Sequence, residues 1–227
     1  MTGAGESLTG PMLRVLMTRM FRRGEDTAPV DSPLVERLGV FGGTFDPVHV
    51  GHVVVATETR AQLGLDRVLL VVAGDPWQKR GQVLASAADR LELVDVAVDG
   101  LEGIEASAIE IERGAPSVTA DTLETLTARD RELFLVLGAD AVANMGTWRR
   151  LEETRHLATV VVVERAGDVH SEPPGPGWRV QRVSIPRLDI ASTDLRLRLR
   201  EGRPVDGLVP PAVVRTIHHR GLYTERR

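Results

Sequence analysis

The chain has 227 residues, of which 42% are hydrophobic, 26% charged and 4% aromatic, enough to bury the core of one large α/β domain or two small ones. It has no cysteine, which excludes disulfides, thiolate catalysis and Cys-based zinc or iron–sulfur sites. A formal net charge of −4 gives no bulk attraction to nucleic acid, and no apolar run approaches the ~18 residues of a membrane span, so the expectation is a cytoplasmic protein with neither nucleic acid nor membrane as partner.

Residues 1–36 differ from the rest. "MTGAGESLTG" and "GEDTAPVDSP" are small, polar and interrupted by Gly and Pro. They are expected to form a flexible extension around a short amphipathic stretch, "PMLRVLMTRMFRR". A domain spanning residues 37–227 follows. "RLGVFGG" reads as a buried strand ending in glycines, and "VGHVVVATETRAQLG" as a helix stopped by Gly64. "DRVLLVVAG" is an apolar strand, "DPWQKRGQVL" a loop, and "SAADRLELVDVAVDG" a helix capped by Ser86. "IEASAIEIER" reads as a strand pair or one bent strand, and "SVTADTLETLTARD" as a helix. "RELFLVLGAD" is a strand running into a second glycine turn, and "LATVVVVERAG" another apolar strand. After a Pro- and Gly-rich loop come a last strand or two, "RVQRVSIPRLDI", and closing helices in "STDLRLRLREG" and "PPAVVRTIHHRGLY". Strands alternating with helices predict a doubly wound parallel sheet in a single Rossmann-like α/β domain. Ligands of such sheets bind at the carboxyl ends of the strands. The turn after the first strand, "LGAD" and the start of "STDLRLRLR" are expected to converge there.

The stretch "GVFGGTFDPVHVGH" carries the most chemistry. As a plain bend, its glycines at 42, 43 and 51 permit positive φ or close approach of another group, but two histidines are left unexplained. As a metal site, His49 and His52 stand at i, i+3, yet no third Cys or His is near. As a phosphate site, a glycine-ended strand entering a helix offers backbone N–H groups and the positive end of a helix dipole, with two imidazoles as further donors. It is neither a Walker A loop nor a G-x-G-x-x-G turn.

"GGTFDPVHVGH" resembles the G-[GS]-[TS]-F-D-P-x-H-x-G-H motif of the HxGH nucleotidylyltransferase superfamily. "IASTDLR" is similar to that superfamily's I-S-S-T-x-x-R box. "LGADAVANMGTW", "PSVTADTL", "PWQK" and the closing "GLY" resemble stretches of bacterial nicotinate-mononucleotide adenylyltransferases. The resemblance covers Arg37 to Tyr223. It implies transfer of the adenylyl group of ATP to nicotinate mononucleotide, giving deamido-NAD and pyrophosphate, with Mg2+ arriving with ATP and no metal held by the protein alone. His49, His52 and Arg196 would be the catalytic residues. Gly42, Gly43, Thr44, Phe45, Asp140, Ser192 and Thr193 would join them in binding ATP. Thr44, Lys79, Thr119 and Trp148 would hold the mononucleotide, Trp148 by stacking on the pyridine ring. Ala191, Val118 and Ala166 depart from the family pattern around the nucleotide and acceptor pockets. Transfer to nicotinamide mononucleotide or another phosphorylated acceptor, or binding of a nucleotide without turnover, are the alternatives. Homo-oligomerisation stays open.

Overall fold

A computed structural model describes residues 35–79, 81–165 and 170–224. Residues 1–34 of the expected extension and Ala166 lie outside the described residues, as does the side chain of Lys79. Six strands, β1 (Glu36–Gly43), β2 (Arg67–Val72), β3 (Ile104–Ser107), β4 (Arg131–Gly138), β5 (Thr159–Arg165) and β6 (Val180–Ile185), form one sheet in the order β3-β2-β1-β4-β5-β6. Every neighbouring pair is parallel. This is the doubly wound order in which a crevice opens where successive crossovers leave in opposite directions, here between β1 and β4. Val40 faces Leu135 across that pair, so the turn after β1 and the turn after β4 emerge side by side.

The helices are α1 (Val50–Leu63), α2 (Ala87–Val98), α3 (Ile109–Arg113), α4 (Thr119–Leu126), α5 (Ala139–Asn144), α6 (Leu151–Leu157), α7 (Ser192–Arg200) and α8 (Pro211–Arg220). Strand alternation sorts the core into two layers. Val68, Leu70, Val72, Phe134, Val136, Val161 and Val163 pack with residues of α1, α2, α7 and α8. Leu38, Val40, Leu69, Val71, Leu133, Leu135, Val160 and Val162 pack on the opposite side with Leu123 of α4 and Val142 of α5. Both faces of the strands are covered, which is why they read as unbroken apolar runs. Each such Val or Leu, fully buried, contributes roughly 1.5–3 kcal/mol.

The sheet begins one residue earlier than the sequence predicts. Glu36 accepts from Arg67 at 2.6 Å and from Arg131 at 2.6 Å, tying the amino ends of β1, β2 and β4. The Arg67 hydrogen bond, with Arg131 beside it, holds the Glu36 carboxyl below its ordinary pKa.

Two readings need correction. "IEASAIEIER" is neither a strand pair nor one bent strand: β3 ends at Ser107 and the chain turns into α3, which Gly114 closes at φ 63°. The β-favouring isoleucines are overridden by tertiary contacts. Glu110 is buried and accepts from the Thr122 hydroxyl at 2.7 Å, and the Gly74 backbone passes so close that an added methyl would lie 2.7 Å from the Glu110 carbonyl. The second glycine turn, at the end of "RELFLVLGAD", is the start of α5, which Gly138 precedes, and α6 follows it. Both are shorter than two full turns and leave no readable apolar period. α6 is instead preceded by Arg150, which caps it in the left-handed region at φ 57°. Its guanidinium is bonded to Asp121 and, at 2.6 Å, to Glu124 on α4.

Candidate active site

Of the two jobs the sequence suggests for Gly42, Gly43 and Gly51, Gly43 and Gly51 serve close approach of another group and none of the three has a positive φ. Among Gly42 to Gly51 the positive φ belongs to Phe45, at 50°. Phe45 is buried, with its ring edge-on to Phe41 and to His52 at centroid distances of 5.7 and 5.0 Å. Any contact of this expected ATP-binding residue is therefore left to its backbone. A methyl at Gly43 would fall 2.7 Å from the Phe45 ring, and one at Gly51 would fall 3.0 Å from the His49 ring. A methyl at Gly42 would meet nothing within 4 Å. It would project into open space in a cleft that Gly42 lines. Gly43→Ala is expected to destabilise the fold by about 1–3 kcal/mol through overpacking. Gly42→Ala is expected to leave the unfolding midpoint unchanged while weakening ligand binding in that cleft. Denaturant unfolding alongside ligand titration of the two variants checks the contrast.

His49 is the residue before α1 and His52 lies in its first turn. Their rings stack, 3.7 Å between centroids at 27°. The His49 backbone N–H donates to His52 Nδ1 at 3.2 Å. A ring nitrogen that accepts carries no proton, so neutral His52 holds its proton on Nε2, as a donor. His49 is 7% exposed and its Nδ1 is buried with no hydrogen-bond partner. Burial, and then the Arg165 cation, lower its pKa to about 4. Both rings line the same cleft.

That depressed value links His49 to stability. The unfolded chain takes up the proton near pH 6.5 and the folded chain only near 4. The His49 contribution is therefore complete above about pH 6.5, falls as pH drops toward 4, and levels off below. The total is about 3 kcal/mol. Unfolding free energies across that window are expected to show this slope in the wild type and to lose it in His49→Gln; parallel curves would contradict it.

α7 is fastened to the same turn. Ser192 Oγ donates to the Pro47 carbonyl at 2.9 Å. Arg196 Nη1 donates to the Asp46 carbonyl at 2.8 Å, and Nη2 to Thr193 Oγ1 at 3.5 Å. Ala191 precedes the helix with no side-chain cap, which leaves the first N–H groups of a nine-residue helix without that partner. The expected set of Ser192, Thr193 and Arg196 thus meets the histidine turn, and this structure gives two of them structural duties as well.

Three residues of this assembly were not singled out from sequence. Asp46, 3% exposed, accepts from the backbone N–H groups of Leu84 (2.9 Å) and Ala85 (3.2 Å) and from the Tyr223 hydroxyl (2.8 Å). Its carboxylate is 3.8 Å from Arg196. Tyr223 is the one tyrosine of the chain; burial and the Asp46 carboxylate push its pKa well above the usual phenol range. Arg90, 2% exposed, donates to the carbonyls of Ala85, Thr44 and Ala73. Asp46 and Tyr223 stood inside stretches matched to the family, which was a usable signal. Arg90 on α2 carried none.

Two clefts open at the carboxyl ends of the strands. The first, about 530 Å³, is lined by His49, His52, Phe41, Arg165, Ile190 and Asp140. The second, about 420 Å³, is lined by Gly42, Thr44, Thr119, Trp148, Glu110 and again Asp140. Asp140, at the start of α5, is therefore the seam between them. Gly42, Gly43 and Thr44 line the second cleft, while the two histidines line the first. Thr119 opens α4, and Trp148 is half-buried, resting on the core. Arg165, at the end of β5, is a cation in the first cleft that was given no role from sequence.

Comparisons with known proteins identify the chain's relatives. The pattern of the Cytidylyltransferase-like family matches residues 40–198. A Corynebacterium kroppenstedtii protein is 44% identical over 191 residues, 82% of this chain and 90% of its own length. A Streptomyces coelicolor protein is 45% identical over 184 residues, 80% of this chain and 98% of its own. Both bear the name "Probable nicotinate-nucleotide adenylyltransferase". The structure of Plasmodium falciparum nicotinic acid mononucleotide adenylyltransferase complexed with NaAD superimposes with a TM-score of 0.70. It covers 83% of this chain and 97% of its own at 17% identity, a likeness of fold. The chain belongs to the Cytidylyltransferase-like family and, with these relatives, to the nicotinate-nucleotide adenylyltransferases.

Proposed function

We propose that the chain transfers the adenylyl group of ATP to nicotinate mononucleotide, a step of NAD biosynthesis in the cytoplasm. A 5′-phosphate oxygen of the mononucleotide bonds to the α-phosphorus of ATP, the bond from that phosphorus to the bridging oxygen breaks, and pyrophosphate leaves with the electron pair. The product is deamido-NAD. No protein nucleophile takes part, so catalysis is positioning plus stabilisation of growing negative charge.

One observation carries the reading: two clefts meet at Asp140, and paired imidazoles line the first of them. ATP belongs in the first cleft. His52, a donor through Nε2, serves the α-phosphate, and His49, held neutral by burial, adds a second imidazole without fixed charge. The uncapped N–H groups at Ser192 and Thr193 serve the β- and γ-phosphates, with Arg196 beside them. Asp140 suits a ribose hydroxyl. The mononucleotide belongs in the second cleft, its ring on Trp148 and its acidic group toward Thr119. ATP enters as its magnesium complex, the ion held mostly by phosphate oxygens and water. Among the described residues no three His, Asp or Glu side chains cluster as a metal cage.

Pyrophosphate release from ATP, measured with nicotinate mononucleotide, nicotinamide mononucleotide and other phosphorylated acceptors in turn, tests this. Release with the acid, and less with the amide, is expected. Preference for the amide would overturn the choice of acceptor. Tight ATP binding with no release from any acceptor would overturn the enzymatic reading.

A further inference from the structure

Nicotinate and nicotinamide mononucleotides differ by one group, a carboxylate against a neutral amide of the same shape. A cleft that prefers the acid needs positive potential or a donor set that the amide N–H₂ would oppose. The charged side chains lining the second cleft, among the described residues, are Glu110, Asp140 and Arg149. The two carboxylates repel an acid. Glu110 is moreover bonded to the Thr122 hydroxyl at 2.7 Å.

Arg149 and its neighbour Arg150 have opposite surroundings. Arg150 is neutralised by Asp121, Glu124 and Glu153. Arg149 is exposed and, among the described residues, pairs with no carboxylate. Its guanidinium lies over the Trp77 ring, 4.8 Å from the centroid. An aromatic face orients a cation without cancelling its charge. The platform is itself held, because Gln78 Nε2 donates to Thr147 Oγ1 at 3.0 Å, joining the loop that carries Trp77 to the segment that carries Arg149.

Position along the cleft decides which anionic group Arg149 meets. The phosphate of the acceptor must reach the α-phosphorus beside His52, at the seam with the first cleft. Trp77, Trp148 and Arg149 line the second cleft only. In the adenylyl-transfer reading the pyridine ring rests on Trp148, and Arg149 is the next residue.

Resting on the adenylyl-transfer reading, we propose that Arg149, oriented on Trp77, is a specificity-determining residue that recognises the carboxylate of the pyridine ring and selects the acid over the amide. Thr119, at the start of α4, supplies neutral donors in the same cleft; Arg149 supplies the charge.

The test compares kcat/KM for the two mononucleotides in wild type, Arg149→Gln, Arg149→Lys and Trp77→Leu. Arg149→Gln is expected to lower the acid-to-amide ratio by at least about tenfold, the usual worth of a hydrogen bond to a charged group, chiefly through KM for the acid. Arg149→Lys is expected to restore part of the ratio, and Trp77→Leu to lower it less than Arg149→Gln. Because Arg149 is exposed, unfolding midpoints are expected to stay at the wild-type value. A ratio within about twofold of wild type in Arg149→Gln, or equal losses with acid and amide, would overturn the proposal. A wild type inactive with every mononucleotide would overturn the adenylyl-transfer reading itself, whereas an active wild type with an unchanged ratio sinks only the role of Arg149.

Discussion

Replacing His52 by alanine is expected to lower kcat by about 10²–10³-fold, the cost of removing one donor aimed at charge that develops in the transition state. The loss is expected in kcat more than in KM for ATP, because a donor that tightens only as charge builds contributes little to the ground state. The folded chain is expected to survive. His52 is half-buried; the alanine removes its ring contacts with His49 and Phe45 and the hydrogen bond it accepts from the His49 backbone at 3.2 Å, the latter worth about 1 kcal/mol at a helix start. Steady-state pyrophosphate release and denaturant unfolding, run on the same preparation, separate the two effects. Activity within about twofold of wild type would mean that this ring does not face the reacting phosphate.

Asp46→Ala is expected to damage the fold itself. The substitution leaves two backbone N–H groups and the Tyr223 hydroxyl without their acceptor in a buried site. It also takes the carboxylate away from Arg196, 3.8 Å distant. Breaking a buried charged network of this kind costs about 3–5 kcal/mol. Activity is expected to fall with it, since the same carboxylate helps hold Arg196 against the phosphate turn. Tyr223→Phe alone is expected to cost about 1–2 kcal/mol. The double variant is expected to lose less than the sum, because both changes break the same bond. Denaturant midpoints of the three variants check this. Full additivity would show that the tyrosine and the aspartate act independently, and a wild-type midpoint for Asp46→Ala would remove the network from the account.

Much of the sheet was legible because buried parallel strands are apolar on both faces. "VLLVV" and "VVVVE" have few other uses in a chain of this composition. The glycine turn was legible because a motif of that length, with histidines at fixed positions, has a physical reason at most of its positions. α5, α6 and α3 were not legible, since short helices leave no periodic trace. Arg90 was invisible for a different reason. In its helix it reads as one more surface charge, and only folding brings three carbonyls, one of them 46 residues away, to surround it. Gly42 and Gly43 are adjacent and chemically identical, yet one spares a ring and the other spares a cleft. That difference depends on where Phe45 turns.

The amino-acid sequence by itself determined the strand–helix alternation, the phosphate-type turn with His49 and His52, and the family, because each of these is written in local order and composition. Only the tertiary structure decided that Asp46, Arg90 and Tyr223 brace the turn, that Gly42 and Thr44 line the second cleft while the histidines line the first, and that Arg149 pairs with an aromatic face while Arg150 is neutralised. Burial and partner choice arise between segments distant in the chain, and no local pattern encodes which of them will meet.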